Sequence, residues 1–295
     1  MDNLPDWRKA GQISAQALKY GTGLLVKGNS MLDTCNKIED KIRQLGGDLA
    51  FPVQISMNEI AAHFCPDKDD TTVFENQVAS LDIGVSINGA IGDNAVTIDL
   101  SGQNTELVKA SQKALHEAIK IIQIGTKLGD IGKVIEETIK SFGYNPVRNL
   151  SGHGLELYNI HSVPTIPNFN NDDPTELEKG MIIAIEPFAT PGGGLVHEKG
   201  KSTIFSQVDK KSVRMPFVRQ ILADIENYKG LPFTKRWLTD KFGEPKVNFA
   251  LNQFRQLEIL KEYPPLVEMS NALVSQAEHT LLIDDTIEIL TVVKE

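Results

Sequence analysis

The sequence predicts an α+β fold built from two related halves, and three patterns lead to that expectation. Pairs of amphipathic helices occur twice, over residues 6–45 and 105–142. When the chain is laid on itself at an offset of 97 residues, Gly28 falls on Gly125. Between the helix pairs, alternating strands flank an Asn-Gly dipeptide, which is typical of a tight hairpin turn. Two copies at this offset indicate two similar halves about a pseudo-two-fold axis, because solenoid repeats are only about 20–50 residues long.

The first helix pair covers residues 6–45. Residues 6–25 have helical periodicity, the pattern breaks at Gly28, and Ser30 is a candidate N-cap for the second helix. That helix ends at Gly46, a residue type that favours the conformation of a helix C-terminus. In the second pair, residues 105–124 are predicted as one helix, and the next lies between Gly125 and Gly143.

The hairpin between the helix pairs carries two aspartates. The Asn-Gly turn at residues 88–89 fixes a register in which Asp82 lies opposite Ala95 and Gly84 opposite Asp93. Because side chains alternate along a strand, Asp82 and Asp93 then share one face as diagonal neighbours. Two such carboxylates repel each other unless a cation or a proton lies between them, and Gly84 leaves space beside Asp93. The alternative is a polar sheet face turned to solvent.

Three further polar side chains occur where the sequence is otherwise apolar or small. Glu186 follows the apolar run 181–185, and Glu278 stands in the segment 274–280; both are expected on strand faces. His153 lies in Ser-Gly-His-Gly, whose small residues let a ring nitrogen reach a ligand. Taken alone, each glutamate is more simply an edge-strand charge and His153 a structural histidine. Together with the two aspartates, they form an oxygen-rich candidate metal site with one imidazole.

The charges of this set favour two metal ions. Its four carboxylates carry a formal charge of −4, which two divalent cations neutralise. Carboxylate-rich ligation suits Mn, Fe(II), Co or Zn, so the ligands alone do not select the metal. Two ions about 3.5–4 Å apart can activate water and polarise a carbonyl, which is the usual chemistry of metal-assisted amide hydrolysis.

Composition excludes several classes of protein. The 295 residues include 30 Lys+Arg and 39 Asp+Glu, a net charge of −9 without a dense basic cluster, so nucleic acid is not expected as the main ligand. The longest purely aliphatic run, residues 181–185, is far shorter than the roughly 20 residues of a membrane span, and the N-terminus lacks signal-peptide features. Two cysteines are too few for a disulfide framework. The expectation is a cytoplasmic protein without a membrane partner.

These motifs resemble those of the pita-bread metallopeptidases, and within them the sequence is most similar to the type II methionine aminopeptidases, especially the short archaeal forms. The resemblance covers almost the whole chain. The 92-residue spacing from Glu186 to Glu278 belongs to it, since it accommodates the helical insertion that separates type II from type I. The other matching segments are Phe51-Pro-Val, Ser56-Met-Asn-Glu-Ile-Ala-Ala-His63, Asp82-(x10)-Asp93, Asn149-Leu-Ser-Gly-His153, Ile160-His161, Thr165-Ile-Pro-Asn168, Glu186-Pro-Phe and Gln276-Ala-Glu278-His.

The resemblance implies a fold, a function and a ligand set. The fold would be an α+β pita-bread fold with two pseudo-symmetric halves. The function would be removal of the N-terminal methionine from nascent peptides and proteins by dinuclear-metal-assisted hydrolysis of the first peptide bond. Asp82 would bind one metal and His153 and Glu186 the other, while Asp93 and Glu278 would bridge both.

The resemblance also implies roles for residues that bind no metal. His63 and His161 match two active-site histidines that hydrogen-bond the scissile peptide and stabilise the oxyanion; the alternative for both is packing. Glu186 would in addition handle the proton of the attacking water. The methionine side chain would bind in a hydrophobic pocket, although as isolated residues its four members would more often be core: Phe51, Ile160, Tyr263 and Leu266.

The predicted domain division follows the insertion. Residues 1–191 and 265–295 would form the catalytic domain, and residues 192–264 an inserted helical subdomain. Within the insertion, helical patterns cover residues 215–228 and 247–263.

Two positions depart from the family pattern. The family often has Thr where Asn94 follows Asp93, and Arg214 stands where some eukaryotic members place a pocket histidine. Neither is a proposed ligand, but Arg214 would alter the rim of the methionine pocket.

The resemblance names the partners and leaves two alternatives. The partners would be peptides and nascent proteins with N-terminal methionine, with a transient ribosome contact as a further option, and a monomer is expected. An Xaa-Pro dipeptidase would share the five ligands but normally carries a separate N-terminal domain, whereas here the repeat begins almost at Met1. A catalytically inactive interaction protein would be expected to lose ligands, and this chain keeps all five.

A glycine-rich segment and three histidines are assigned no catalytic role. The glycines at 192–194, followed by Gly200-Lys-Ser202, resemble a phosphate loop, but the spacing is one residue too long, which favours a flexible loop. His116, His197 and His279 are expected at the surface or in packing.

Overall fold

The computed structural model describes residues 3–293, and it has helices and strands in both halves of the chain. The helices are α1 (Leu4–Thr22), α2 (Met31–Gln44), α3 (Thr105–Ile121), α4 (Leu128–Ser141), α5 (Pro216–Glu226), α6 (Lys235–Phe242) and α7 (Glu244–Gln256). The strands are β1 (Asp48–Leu49), β2 (Gln54–Met57), β3 (Ile60–Ala62), β4 (Val78–Ile87), β5 (Ala90–Asp99), β6 (Asn145–Pro146), β7 (Ser151–Glu156), β8 (Asn159–Pro167), β9 (Ile182–Ile185), β10 (Phe188–Thr190), β11 (Val196–Glu198), β12 (Ile204–Gln207), β13 (Phe233–Thr234), β14 (Leu260–Tyr263), β15 (Leu266–Glu268), β16 (Ser275–Gln276), β17 (His279–Leu282) and β18 (Glu288–Ile289).

The first half is a four-stranded sheet covered by two helices. β4 is central, pairing antiparallel with β1 and β2 along one edge and with β5 along the other. α1 and α2 pack on this sheet, and the buried side chains Met31, Ile38 and Ile42 of α2 join the apolar residues of β4 in one core. The predicted N-cap is confirmed, because the Ser30 hydroxyl accepts a hydrogen bond from Asp33 N at 3.3 Å.

The second half repeats this plan around a five-stranded sheet. Its strand order is β18-β17-β9-β7-β8, and α3 and α4 pack against it through buried aliphatic side chains. The predicted duplication is visible in the backbone: Gly28 and Gly125 have φ of 92° and 83°, and Gly46 and Gly143 have φ of 83° and 81°. Glycine fits these left-handed positions without steric cost, so equivalent glycines precede and follow the matching helices α2 and α4.

Two helices end earlier than the sequence predicts. α1 ends at Thr22 rather than near Leu25, and Leu25 is instead buried in the core beyond the helix. α3 ends at Ile121 rather than Ile124, because the backbone of Ile122 is extended. Apolar periodicity continues past both helix ends, so it could not show where either helix stops.

The inserted segment contains strands as well as helices. β12, β13 and β14 form a three-stranded sheet, and α5, α6 and α7 share a hydrophobic cluster with it. The prediction of a helical stretch over 247–263 is wrong for its last residues: α7 ends at Gln256, Glu258 has φ of 54°, and β14 then pairs with β12. The division of the chain at residues 192 and 264 stays a prediction.

A buried ion pair attaches the insertion to the first half. The Arg236 guanidinium of α6 donates to both oxygens of Glu39 on α2, and the two residues are 5% and 2% exposed. Trp237 Nε1 donates to the same carboxylate at 2.8 Å, and Val53 N donates at 3.3 Å. Because Val53 immediately precedes β2, this network connects the insertion to a strand of the four-stranded sheet in the first half.

None of the helices between residues 3 and 293 is both long and apolar enough to cross a membrane.

Candidate metal centre and catalytic cavity

The β4–β5 hairpin has the register that the sequence predicts. Asp82 pairs with Ala95 and Gly84 with Asp93, so the two aspartates share one face of the sheet. That face is not turned to solvent, since Asp93 is only 3% exposed and Asp82 Oδ1 is buried. The alternative of an ordinary solvent-facing sheet is therefore wrong, because the second half covers this face.

Gly84 makes room for an aromatic ring rather than for empty space beside Asp93. A Cβ atom on Gly84 would lie 2.1 Å from Phe51 Cε1, so only glycine allows the Phe51 ring to lie against β4. This close approach brings Phe51 to the edge of the aspartate pair. A local pattern could show the small residue but not the distant side chain that uses it.

Glu186 and Glu278 lie at breaks between strands. Glu186 follows the end of β9, and Glu278 stands between β16 and β17, so the prediction of continuous strands through them is wrong. Glu278 N donates to Ala95 O at 3.0 Å, which docks this segment on β5. Glu278 is 2% exposed and the Glu186 side chain 13% exposed, so neither is an edge-strand charge.

His153 of β7 brings these carboxylates together. Its Nε2 lies 3.4 Å from Glu186 Oε1 and 3.9 Å from Asp93 Oδ2. One ligand atom from each of Asp93, His153 and Glu278 lies within 4.8 Å of the other two, as in a metal-binding group. The first half supplies Asp82 and Asp93, and the second half supplies the other three, so the cluster lies where the halves meet.

Burial and mutual repulsion disturb the titration of the carboxyl groups. Burial raises the pKa of Asp82 to about 7. Burial, followed by the charges of the neighbouring carboxylates, raises the pKa values of Asp93, Glu186 and Glu278 well above their ordinary range. Burial also lowers the pKa of His153 to about 3. A neutral imidazole among several carboxylates is the protonation state that favours a bound cation.

His63 and His161 stand on either side of this cluster. The His161 ring packs edge-on against His153, with ring centroids 4.8 Å apart, and the His63 ring packs edge-on against Tyr263 at 5.5 Å. Burial lowers the pKa values of both His63 and His161 to about 4, so both are neutral at pH 7. His63 Nδ1 is buried and has no hydrogen-bond partner within residues 3–293.

One cavity of about 210 Å³ joins the histidines and the carboxylates. All five proposed ligands and both histidines line it, and the four predicted pocket residues Phe51, Ile160, Tyr263 and Leu266 line it as well. The structure thus brings together every residue that the sequence singled out for chemistry.

Comparison with known proteins accounts for this arrangement. Residues 6–215 match the model of metallopeptidase family M24. The chain is 43% identical over 279 residues to a methionine aminopeptidase of Archaeoglobus fulgidus, with 94% of each chain covered. It is 33% identical to methionine aminopeptidase 2 of Schizosaccharomyces pombe, covering 97% of this chain and 71% of that one.

The chain belongs to family M24, within its methionine aminopeptidases. The crystal structure of the Thermotoga maritima methionine aminopeptidase superposes with a TM-score of 0.73 at 25% identity, covering 99% of this chain and 97% of that one. The predicted pita-bread fold is therefore confirmed. The archaeal type II character is confirmed as well, because the archaeal and type 2 relatives align over nearly the full length of this chain.

The M24 cluster has the donors that a metal requires. The buried Asp93, His153 and Glu278 group is the metal-binding cluster of this metallopeptidase. Asp82 Oδ1 is buried without a hydrogen-bond partner in the described part of the chain, as expected for an atom whose partner is a cation. His153 is neutral at pH 7 and offsets none of the charge that these carboxylates carry when ionised, which a cation would balance.

Further residues support the M24 ligands. The Thr280 hydroxyl accepts from Asp93 N at 2.9 Å and donates to Asp93 O at 2.8 Å, which fixes the backbone at that ligand. Gln276 Nε2 lies 3.4 Å from Glu186 Oε2 and orients that carboxylate. The sequence placed Gln276 in a family motif without a role. Both contacts join residues that are 90 or more positions apart, so no local pattern reveals them.

The M24 cavity also has walls that the sequence reasoning missed. Ile204 and Pro232 of the insertion, with Gln54 and Phe188, line it alongside the predicted residues. Arg214 is not among the lining residues, and its effect on the pocket rim stays a prediction. Pro232 lies between α5 and β13, immediately before the strand. Its position depends on how the insertion folds over the catalytic half.

The segments that were set aside remain outside the M24 site. His116 and His197 are exposed, and His279 contacts Thr291 Oγ1 at 3.0 Å instead of the cavity. The glycine-rich loop at 192–194 packs on Glu268, whose Oε1 atom lies 2.4 Å from an added Cβ on Gly192. This loop therefore needs glycine for packing.

Proposed function

We propose that the chain removes the N-terminal methionine from peptides and nascent proteins by hydrolysing the first peptide bond. The buried Asp93, His153 and Glu278 cluster carries this proposal, because it lines a cavity in a chain related along nearly its whole length to methionine aminopeptidases. A buried oxygen-rich cluster binds divalent cations, and a small cavity admits the end of a chain rather than its middle. The chain is a methionyl aminopeptidase, a metallo-exopeptidase.

Two divalent cations are the proposed cofactor. Asp82 would hold one, His153 and Glu186 the other, and Asp93 and Glu278 would contact both. The charge of four buried carboxylates supports this number. When bound, such cations polarise the scissile carbonyl and lower the pKa of water. The metal that activates best, among Co, Mn, Fe(II) and Zn, is to be found by experiment.

Glu186 is the proposed proton carrier. Contacts to His153 Nε2 and Gln276 Nε2, each at 3.4 Å, hold its two oxygens in place. Burial, and then the charge of Asp93, raise its pKa in the metal-free protein, and a bound cation would keep the carboxylate ionised and able to accept a proton. Glu186 takes a proton from the attacking water and passes it to the amino group of the departing peptide.

His63 and His161 are the proposed donors to the scissile peptide. Desolvation keeps both rings neutral at pH 7, so each ring has one N–H that can donate a hydrogen bond. Donors fixed by the fold stabilise the negative charge that develops on the carbonyl oxygen. The packing of His161 against His153 supports this role, because it places a donor next to a proposed ligand.

The methionine side chain is proposed to bind among the apolar residues of the cavity. Phe51, Ile160, Tyr263 and Leu266 all line it, and Ile204 and Pro232 extend the apolar wall. Phe51 stands beside the aspartate pair, because its ring lies against Gly84, the cross-strand neighbour of Asp93. An unbranched thioether side chain suits a pocket of this irregular shape.

Peptide cleavage followed by mass spectrometry tests the proposal. The metal-stripped protein is reloaded without oxygen with Co, Mn, Fe(II) or Zn and given Met-Ala-Ser, Leu-Ala-Ser or Ala-Pro. The expected result is metal-dependent release of methionine from the first peptide only. Cleavage of Ala-Pro with Met-Ala-Ser intact would instead identify an Xaa-Pro dipeptidase. A folded protein that cleaves none of them with any metal would overturn the enzymatic proposal.

The cytoplasmic location, the monomeric state and a transient ribosome contact stay predictions from the sequence and its resemblance.

A further inference from the structure

A second cavity adjoins the catalytic one. It measures about 250 Å³ and shares four lining residues with the catalytic cavity: Ile160, His161, Pro232 and Tyr263. The other walls come from the start of β8, from residues 206–208 at the end of β12, and from the turn before β13. The insertion and strand β8 of the second half thus meet at this cavity, which shares a wall with the cavity of the proposed metal ligands. We name it the Lys261 pocket.

Lys261 is the one formally charged side chain among the described residues that line the Lys261 pocket at neutral pH, with His161 neutral. The lining residues include no carboxylate. Glu262, its neighbour on β14, pairs with Arg255, and side chains of adjacent strand residues point to opposite faces. Glu156 accepts a hydrogen bond from Asn159 but does not line the pocket. The chain has a net charge of −9, which is opposite in sign to the charge of this pocket.

Lys261 is placed to act on a bound peptide. Its Nζ lies 4.8 Å from the centroid of the Tyr263 ring, and Tyr263 lines both cavities. No carboxylate within residues 3–293 lies within ion-pair distance of the Lys261 ammonium. Its positive charge lowers the pKa values of both His161 and His63, although burial is the larger cause for each. Lys261 thus lines a cavity whose shared wall includes His161, one of the two histidines proposed to contact the scissile peptide.

In an exopeptidase that encloses the first residue of its substrate, the rest of the bound peptide must extend out of the cavity. When the first residue lies among the apolar walls, the residues after the scissile bond pass the groups that the two cavities share. We propose that the Lys261 pocket binds the peptide segment after the scissile bond and selects an acidic side chain there through the Lys261 ammonium. This inference rests on the proposed function, and it names a substrate class within it: methionine-initiated chains with Asp or Glu at the third or fourth residue.

Peptides that differ in one charge test this selectivity. Met-Ala-X-Gly-Gly and Met-Ala-Gly-X-Gly, both with amidated C-termini, are compared with X as Glu, Gln or Lys on the metal-loaded enzyme. At low salt we expect kcat/KM to be about five- to tenfold higher for Glu than for Lys at one of the two positions, with Gln between them. High salt should reduce this ratio, because it screens an exposed cation.

Charge variants locate the effect. Lys261→Gln should bring the Glu to Lys ratio to within about twofold, and Lys261→Glu should reverse it. Lys120→Gln on α3 removes a lysine that lines neither cavity and should leave the ratio unchanged. Circular dichroism and metal content confirm that each variant is folded and loaded.

The outcomes separate the two proposals. If the enzyme cleaves the Gln peptides but its Glu to Lys ratio is the same with and without Lys261, the pocket has no role in selection and this inference is overturned. If no methionine peptide is cleaved at all, the proposed function fails and the pocket's role fails with it. A ratio that reverses in Lys261→Glu while the Gln peptides are still cleaved supports both.

Discussion

At the scale of single residues, the site contains buried polar atoms that have no hydrogen-bond partner in the described part of the chain. Asp82 Oδ1 and His63 Nδ1 are both buried without a hydrogen bond inside the described chain. Such atoms are costly in a folded protein unless a ligand satisfies them. Under the proposed function, a cation would be the partner of Asp82 Oδ1 and the substrate peptide the partner of His63 Nδ1.

His153→Ala is expected to abolish turnover through loss of metal. The imidazole is the one nitrogen donor among the five proposed ligands, and its removal leaves carboxylates that repel each other. Metal content after dialysis, measured by atomic emission, should fall together with activity. His197→Ala, at an exposed position of β11, is the matched control and should retain both. Full metal retention with full activity in His153→Ala would contradict the ligand assignment.

His161→Ala is expected to lower kcat by about a hundredfold or more while the metal stays bound, because a donor to the developing oxyanion is lost. Titration of metal content beside steady-state kinetics checks both parts. His116→Ala, an exposed histidine on α3, should behave like the parent protein. An unchanged kcat, or a loss of metal that matches the loss of activity, would remove His161 from the proposed role.

At the scale of elements, strand pairing that depends on a local turn was predictable. The Asn-Gly dipeptide fixes the register of the β4–β5 hairpin within two residues, so the sequence places Asp82 and Asp93 correctly. Glu278 could not be placed in this way. The break between β16 and β17 depends on the docking of Ala277 on Val96, which lies in the other half. Family motifs named the ligand, and only the fold shows how its backbone is held.

The same distinction explains what was missed in the insertion. The apolar pattern of residues 247–263 is compatible with one long helix, but a left-handed residue at Glu258 ends it and strand pairing to β12 takes over. Ile204 and Pro232 reach the cavity because the insertion packs over it. Neither event leaves a periodic signal in the sequence.

Arg236→Met is expected to destabilise the protein by about 3–5 kcal/mol, because it removes the buried cation that pairs with Glu39 and leaves the half-exposed Arg43, whose Nη2 atom lies 3.8 Å from Glu39 Oε2. Urea unfolding of the metal-loaded protein measures the change. Lys68→Met is the matched control, since Lys68 also joins the first half to α6, at Asp240, but both side chains are more than half exposed. That change should cost about 0.5 kcal/mol or less. Equal effects of the two substitutions would contradict the importance of burial.

At the scale of the whole molecule, the duplication explains why the site lies at the junction of the halves. Each half contributes a sheet; a face of the first carries Asp82 and Asp93, and breaks between strands of the second half carry Glu186 and Glu278. The repeat was visible in the sequence because glycines with positive φ mark matching helix ends. The angle at which the halves meet was not, since it depends on side-chain packing between residues far apart in the chain.

The metal-free protein is expected to lose stability as the pH rises from 7 to 8. The pKa of Asp82 is raised to about 7, and those of Asp93, Glu186 and Glu278 are raised in the same direction. A carboxyl group whose folded pKa is raised stabilises the fold below its unfolded pKa, and this contribution is lost as the pH passes its folded pKa.

The three site histidines and His279 act in the opposite direction but at lower pH. Their folded pKa values of about 3 to 4 lie below the ordinary value near 6.5, so they destabilise the fold as the pH falls below that value. Between pH 7 and 8 the carboxyl groups therefore determine the slope. Calorimetry with a chelator should show Tm falling over this interval, and excess Mn should flatten the slope. A chelated protein whose Tm is constant or rises would refute the expectation.

The connection between the halves has a practical consequence. Gly102 lies in an exposed turn after β5, with φ of 73°. A cut there would leave Asp82 and Asp93 on one fragment and His153, Glu186 and Glu278 on the other, so neither fragment alone would have the complete ligand set. Peptide cleavage would then require the two pieces to reassemble. The duplicated architecture thus offers a natural split reporter, in which fusing each piece to one of two test proteins would make aminopeptidase turnover a readout of their association.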